Sequence, residues 1–134
     1  MIKIIEAVGR EWNQLHPNGP RISIGDLSLQ GGGEFYPDPP GPHQHDEHQK
    51  GLNADIRYVR NDGSEGRFDF NYDPNVLYDD TATQELVNLF CETGVNFIRA
   101  DDQGRDNLVA PAGCTISRTA GGHSHHFHIR IEWP

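Results

Sequence analysis

The segment from His125 to Trp133, HHFHIRIEW, alternates between apolar and polar residues. Successive side chains of a β-strand point to opposite faces, so this alternation predicts a strand that is buried on one face only. A solvated edge strand would also alternate, but two histidines on one face, preceded by His123, favour a functional row over a solvated surface. The polar face of the predicted strand carries His126, His128, Arg130 and Glu132.

The rest of the chain predicts two helices, several short strands and a long loop over residues 31–48, which are mainly Gly, Pro, His and acidic residues. Apolar residues spaced three and four apart predict a helix over residues 2–15. A second helix is predicted over 81–93, with Thr81 or Thr83 as its N-cap. The predicted strands are 55–60, its hairpin partner 67–72, 95–100 and 125–133. RISIGDLSL, residues 21–29, predicts either a short strand pair or a strand followed by a bend. We therefore expect a single α+β domain over residues 1–134, with helices on one face of a small, mainly antiparallel sheet.

Composition excludes several classes of function. The formal net charge of −9 argues against nucleic acid and anionic membrane surfaces, because both require a basic face. We see no apolar run long enough to span a membrane, and we expect a monomer. No signal peptide is visible in MIKIIEAVGREW. Cys91 and Cys114 could form a disulfide or remain two unrelated thiols, and the sequence favours neither.

The histidines fall into two groups that complement each other as metal ligands. Seven of the eight lie in two short stretches, one of which is the terminal strand. The other stretch, PHQHDEHQKGLNAD, contains His48 and Asp55, with Gly51 between them to permit a chain reversal. Zinc binds neutral imidazole nitrogen and carboxylate oxygen, and a catalytic site keeps one position open. A histidine and an aspartate seven residues apart are a weak signal alone, but they gain weight beside the His-x-His strand.

Four ordered blocks of this chain resemble one group of zinc peptidases. These are the penicillin-insensitive murein endopeptidases, which are grouped with lysostaphin and the D-Ala-D-Ala metallopeptidases. The blocks are GDLS at 25–28, QGGGEF at 30–35, HDEHQKGLNADI at 45–56 and HSHHFHIR at 123–130.

The resemblance implies a role for each matching residue. It implies that a Zn²⁺ ion is held by His48, Asp55 and His128, with His126 beside it as the catalytic group. His45 and His123 match two further histidines expected near the metal. His125 and Arg130 are additional candidates for contacts around the metal or with substrate, although a surface salt bridge explains Arg130 equally well.

Residue chemistry also favours His126 as the group that moves protons. The HExxH motif of many zinc peptidases is absent, and imidazole titrates near neutral pH. Glu132 is a rival general base, but it lies four residues from His128, about 13 Å along a strand at about 3.3 Å per residue. This distance from the predicted metal ligand argues against Glu132.

The resemblance implies an endopeptidase that hydrolyses D-alanyl cross-links between peptidoglycan stem peptides. Its site of action would be periplasmic or extracellular, reached as a phage-type lysin or a separately delivered effector. Two alternatives stay open: a D,D-carboxypeptidase or dipeptidase acting on small D-Ala peptides, and a non-catalytic module that binds metal or cell wall.

Overall fold

The computed structural model of the chain describes residues 1–27, 51–119 and 121–132. Within these ranges it contains two α-helices and a five-stranded sheet, which confirms the predicted α+β class. The helices are α1 (Ile2–Leu15) and α2 (Asp80–Glu92), and a short 3₁₀ turn covers Asn75–Leu77. The strands are β1 (Ile24–Leu27), β2 (Asn53–Arg57), β3 (Phe97–Arg99), β4 (Thr115–Ser117) and β5 (His126–Arg130).

The sheet is mainly antiparallel, as predicted, and its order is β1-β2-β5-β3-β4. The β1–β2, β2–β5 and β5–β3 pairs are antiparallel, and among the described strands only the β3–β4 pair is parallel. β4 was not predicted, because a three-residue strand is too short to show a period. The two strands that carry predicted site residues, β2 and β5, are direct neighbours at the middle of the sheet.

One face of the sheet is the core and the other is polar. Phe127 and Ile129 of β5 are fully buried among apolar residues that include Phe90 of α2 and Val8 of α1. The Phe127 and Phe90 rings meet edge to face, with centroids 6.4 Å apart. The alternation in β5 therefore has the predicted consequence: the apolar positions hold the sheet against the helices, and the histidines face the opposite way.

Residues 67–72 do not form the predicted hairpin strand. Phe68 and Phe70 are buried, but they pack against Tyr78, with ring centroids 5.6 and 5.0 Å from it. The backbone turns at Asp69, whose carbonyl oxygen accepts a 2.8 Å hydrogen bond from the Asp73 amide. The apolar and polar residues of 67–72 do alternate along the sequence, but the two buried rings belong to a loop that does not pair with β2.

The N-terminus of α2 also differs from the prediction. Asp79 is the N-cap, and its carboxylate accepts a hydrogen bond of 2.9 Å from the Ala82 amide. Thr83 is fully buried instead, and its hydroxyl accepts from the Val59 amide and donates to the Asp79 carbonyl. The threonine hydroxyl thus connects the helix to the chain after β2, which its sequence position does not reveal.

Among the described residues, no helix has the length and apolar character needed to cross a membrane. The predicted loop over 31–48 lies outside the described residues, and so do His45 and His48.

Cys91 and Cys114 form a disulfide, which decides between the two alternatives left by the sequence. The bond joins the last turn of α2 to the residue before β4, across a sequence separation of 23. We expect the Cys91→Ser, Cys114→Ser variant to lose about 3 kcal/mol of unfolding free energy, because a loop of this length is no longer closed in the unfolded chain. Urea denaturation of the variant and of the oxidised wild-type protein measures the difference, and coincident midpoints would contradict it.

Candidate functional site

The pairing of β2 with β5 brings the predicted residues together from distant parts of the sequence. In the antiparallel register Asp55 lies opposite His128, and Arg57 lies opposite His126. Cross-strand partners place their side chains on the same face, about 5 Å apart. The sheet therefore presents a carboxylate and two imidazoles side by side on its polar face.

Asp55 and His128 make the closest contact in this cluster. His128 Nδ1 lies 2.8 Å from Asp55 Oδ1, and both residues are buried, with 4% and 9% of their surfaces exposed. The opposite ring nitrogen, Nε2, lies 3.3 Å from the side-chain oxygen of Asn53. Contacts at both nitrogens set the orientation of the ring, with Nδ1 facing the Asp55 carboxylate and Nε2 facing Asn53.

This pair fits part of a zinc site. Two ligand atoms that are each about 2.1 Å from a tetrahedral zinc ion lie about 3.4 Å from one another. His128 Nδ1 and Asp55 Oδ1 are 2.8 Å apart, so they would have to separate by about half an ångström to bind the same ion. Within the described ranges, no group of three or more His, Cys, Asp and Glu side chains is arranged to hold a metal. The third predicted ligand, His48, lies outside those ranges, so the described residues supply two of the three predicted ligands.

His126 lies beside this pair without a hydrogen bond to it. Its Nε2 is 3.6 Å from Asp55 Oδ1, and its Nδ1 is 3.0 Å from Nδ1 of His125. Burial lowers the pKa of His126, the Asp55 charge opposes this shift and the neighbouring histidines add to it, which together leave the pKa at about 4. The His126 imidazole is therefore neutral at pH 7, and one of its two ring nitrogens is free of a proton.

Two more predicted histidines lie against His126. The His123 ring is 5.1 Å from the His126 ring and 6.4 Å from the His128 ring, measured between centroids, and His123 is only 8% exposed. The His125 ring is 4.5 Å from that of His126. Burial lowers the pKa of His125, and the positive charge of Arg67 adds to this effect. All four histidines of the C-terminal segment therefore belong to one cluster.

The polar row ends at Arg130. The Arg130 guanidinium lies 4.4 Å from the centroid of the Phe97 ring and forms a salt bridge with Glu132. This is the surface salt bridge that the sequence left open. Glu132 lies beyond β5 and is exposed, and its amide donates to Asn96 Oδ1. Glu132 is engaged at the end of the sheet, away from the histidine cluster.

Sequence reasoning gave no role at the site to Gly25, Asn53 or Arg99. Arg99 is in register with His128, and Asn53 contacts the His128 ring. A Cβ atom at Gly25 would lie 3.3 Å from Cβ of Asp55, so glycine leaves room there that a larger residue would take. The alternation of NADIR would have identified Asn53 if the strand had been started at residue 53 instead of 55.

No family model matches this chain, and no curated protein matches it at a significant level.

Proposed function

We propose that this protein is a zinc-dependent peptidoglycan endopeptidase that hydrolyses D-alanyl cross-links between stem peptides. One observation carries the proposal: a buried carboxylate and imidazole, Asp55 and His128, converge on adjacent strands with neutral His126 beside them. The order of the sequence blocks in which these residues occur supports the choice of peptidoglycan as substrate.

His48, Asp55 and His128 would hold the zinc ion. When bound, zinc supplies a Lewis acid that makes water more acidic and polarises the carbonyl of the scissile amide. Asp55 contributes a negative charge and His128 a neutral nitrogen, which is the donor chemistry that zinc prefers. Asn53 helps to hold His128 through the ring nitrogen opposite the carboxylate.

His126 would move the proton that hydrolysis requires. As a water oxygen attacks the carbonyl carbon, a proton passes from that water to His126 Nε2, the nitrogen on the Asp55 side. The imidazolium then returns this proton to the leaving amine nitrogen as the C–N bond breaks. Asp55 lies 3.6 Å from Nε2, and its negative charge favours the transient imidazolium.

The disulfide supports a site of action outside the cytoplasm. Disulfides persist mainly in oxidising compartments, and Cys91–Cys114 joins two elements of the core fold. Peptidoglycan lies in such a compartment, so the redox chemistry of the chain is compatible with a periplasmic or extracellular substrate.

Digestion of muropeptides tests the proposal. Purified cross-linked dimers are incubated with the zinc-loaded protein, with the chelated protein and with the chelated protein after zinc is restored. Mass spectrometry then identifies the new termini. Zinc-dependent conversion of dimers to monomers is the expected result. Loss of one terminal D-alanine alone would identify a carboxypeptidase, and tight zinc binding without any cleavage would identify a non-catalytic module; either result overturns the endopeptidase assignment.

A further inference from the structure

A buried polar network lies behind the histidine cluster, centred on the Asp106 carboxylate. Asp106 is fully buried and accepts hydrogen bonds from the Asp101 amide at 2.9 Å, the Leu108 amide at 3.0 Å and Arg118 Nη2 at 2.6 Å. The Tyr58 hydroxyl lies 3.2 Å from the same carboxylate. Each oxygen of this buried charge therefore has partners, as a stable buried carboxylate requires.

The Tyr58 hydroxyl connects this network to the histidines. Its single hydrogen has two acceptors within reach, the His123 carbonyl oxygen at 2.9 Å and the Asp106 carboxylate at 3.2 Å, and the contact with His123 is the shorter. The hydroxyl oxygen accepts from the Asp101 amide at 3.1 Å. Burial raises the pKa of Tyr58 far above its ordinary value, so the hydroxyl keeps its hydrogen at every physiological pH. The hydroxyl thus always carries a hydrogen to donate, and the hydrogen bond from the Asp101 amide helps to fix the position of its oxygen.

The segment that receives this hydrogen bond lies outside the regular elements, and its backbone bonds to two aromatic residues. Residues 121–125 precede β5 and belong to no helix or strand. Besides the Tyr58 bond to His123, the backbone of this segment accepts a 2.9 Å hydrogen bond from the Phe70 amide at the Ser124 carbonyl. These two bonds hold a segment whose His123 ring packs against the His126 ring.

We propose that Tyr58 is a positioning residue, whose hydroxyl holds the His123 backbone and thereby sets the placement of the His123 and His126 rings beside Asp55 and His128. The catalytic consequence rests on the proposed peptidase function, whereas the placement of the rings does not. A phenylalanine would fill the same aromatic cluster, so the hydroxyl is separable from the packing of the ring.

Tyr58→Phe and Tyr78→Phe form a matched pair of variants. Both tyrosines are buried and belong to the same aromatic cluster, and both hydroxyls contact Asp106. The Tyr78 hydroxyl, however, donates to the Asp106 backbone carbonyl at 2.7 Å and makes no described contact with residues 121–125. Tyr78→Phe therefore reports the cost of losing a buried hydroxyl without releasing His123.

The test combines NMR of the histidine ring nitrogens with zinc content, melting temperature and muropeptide kinetics. In Tyr58→Phe we expect shifted His123 and His126 ring signals, unchanged zinc content and a kcat lower by about tenfold at constant KM, since displaced reacting groups slow the chemical step more than binding. In Tyr78→Phe we expect wild-type ring signals and kcat.

Each outcome decides the inference. If the two variants have the same ring signals and the same kcat, or lose kcat only in proportion to melting temperature, the positioning role is overturned. If the ring signals move in Tyr58→Phe alone while the wild-type protein cleaves no muropeptide, the positioning role stands and the peptidase proposal fails. If Tyr58→Phe does not fold, the wild-type protein decides: a slowly exchanging Tyr58 hydroxyl proton close to His123 supports the role, and a freely exchanging one overturns it.

Discussion

Asp55→Asn is expected to remove tightly bound zinc and, with it, zinc-dependent cleavage of muropeptides. Asparagine keeps the size of the side chain and can still hydrogen-bond His128 Nδ1, so the sheet should remain intact. It removes the negative charge, however, and an amide oxygen is a much weaker zinc ligand. We expect zinc affinity to fall by more than about 100-fold, since removing groups that only hydrogen-bond a ligand already costs ~10–100-fold.

Zinc content after dialysis and calorimetric titration measure this loss, with Asp62→Asn as the matched control. Asp62 is an exposed carboxylate that pairs with Arg60, and it lies outside the histidine cluster. The control should bind zinc as the wild-type protein does. Stoichiometric zinc and wild-type turnover in Asp55→Asn would show that the metal is held elsewhere.

His126→Gln is expected to retain zinc but to lower turnover by about 10²–10⁴-fold, the range typical of a missing general acid–base group. Glutamine occupies a similar volume and remains polar, but it cannot carry a proton between water and the leaving amine. The measurement pairs zinc content with the rate of muropeptide cleavage. His16→Gln provides the control, because His16 pairs with Glu85 between the two helices, on the other side of the sheet.

Two results would contradict this assignment of His126. Wild-type turnover in His126→Gln would leave it without a catalytic role. A simultaneous loss of zinc and of turnover would make it a ligand instead, a role compatible with its 3.6 Å separation from Asp55. The two variants together therefore separate the ligands from the proton-transfer group.

Local sequence patterns predicted the helices and strands in which the spacing of apolar residues matches the period of the element. The helix over 2–15 was predicted with its observed bounds, because its apolar spacing buries Ile5, Val8 and Trp12 on one face. β5 was predicted by strict alternation, although it ends at Arg130 and not at Trp133. The same reasoning failed for residues 67–72, where alternation reflected two buried rings in a loop.

The sequence by itself determined the α+β class, the two faces of β5 and the residue types available to a metal. Only the tertiary structure decided which of these residues meet. The Asp55–His128 contact joins residues 73 positions apart, and the Tyr58–His123 bond joins residues 65 apart. Such contacts depend on strand register and on loop packing, which arise from interactions summed over the whole core and leave no period in the local sequence.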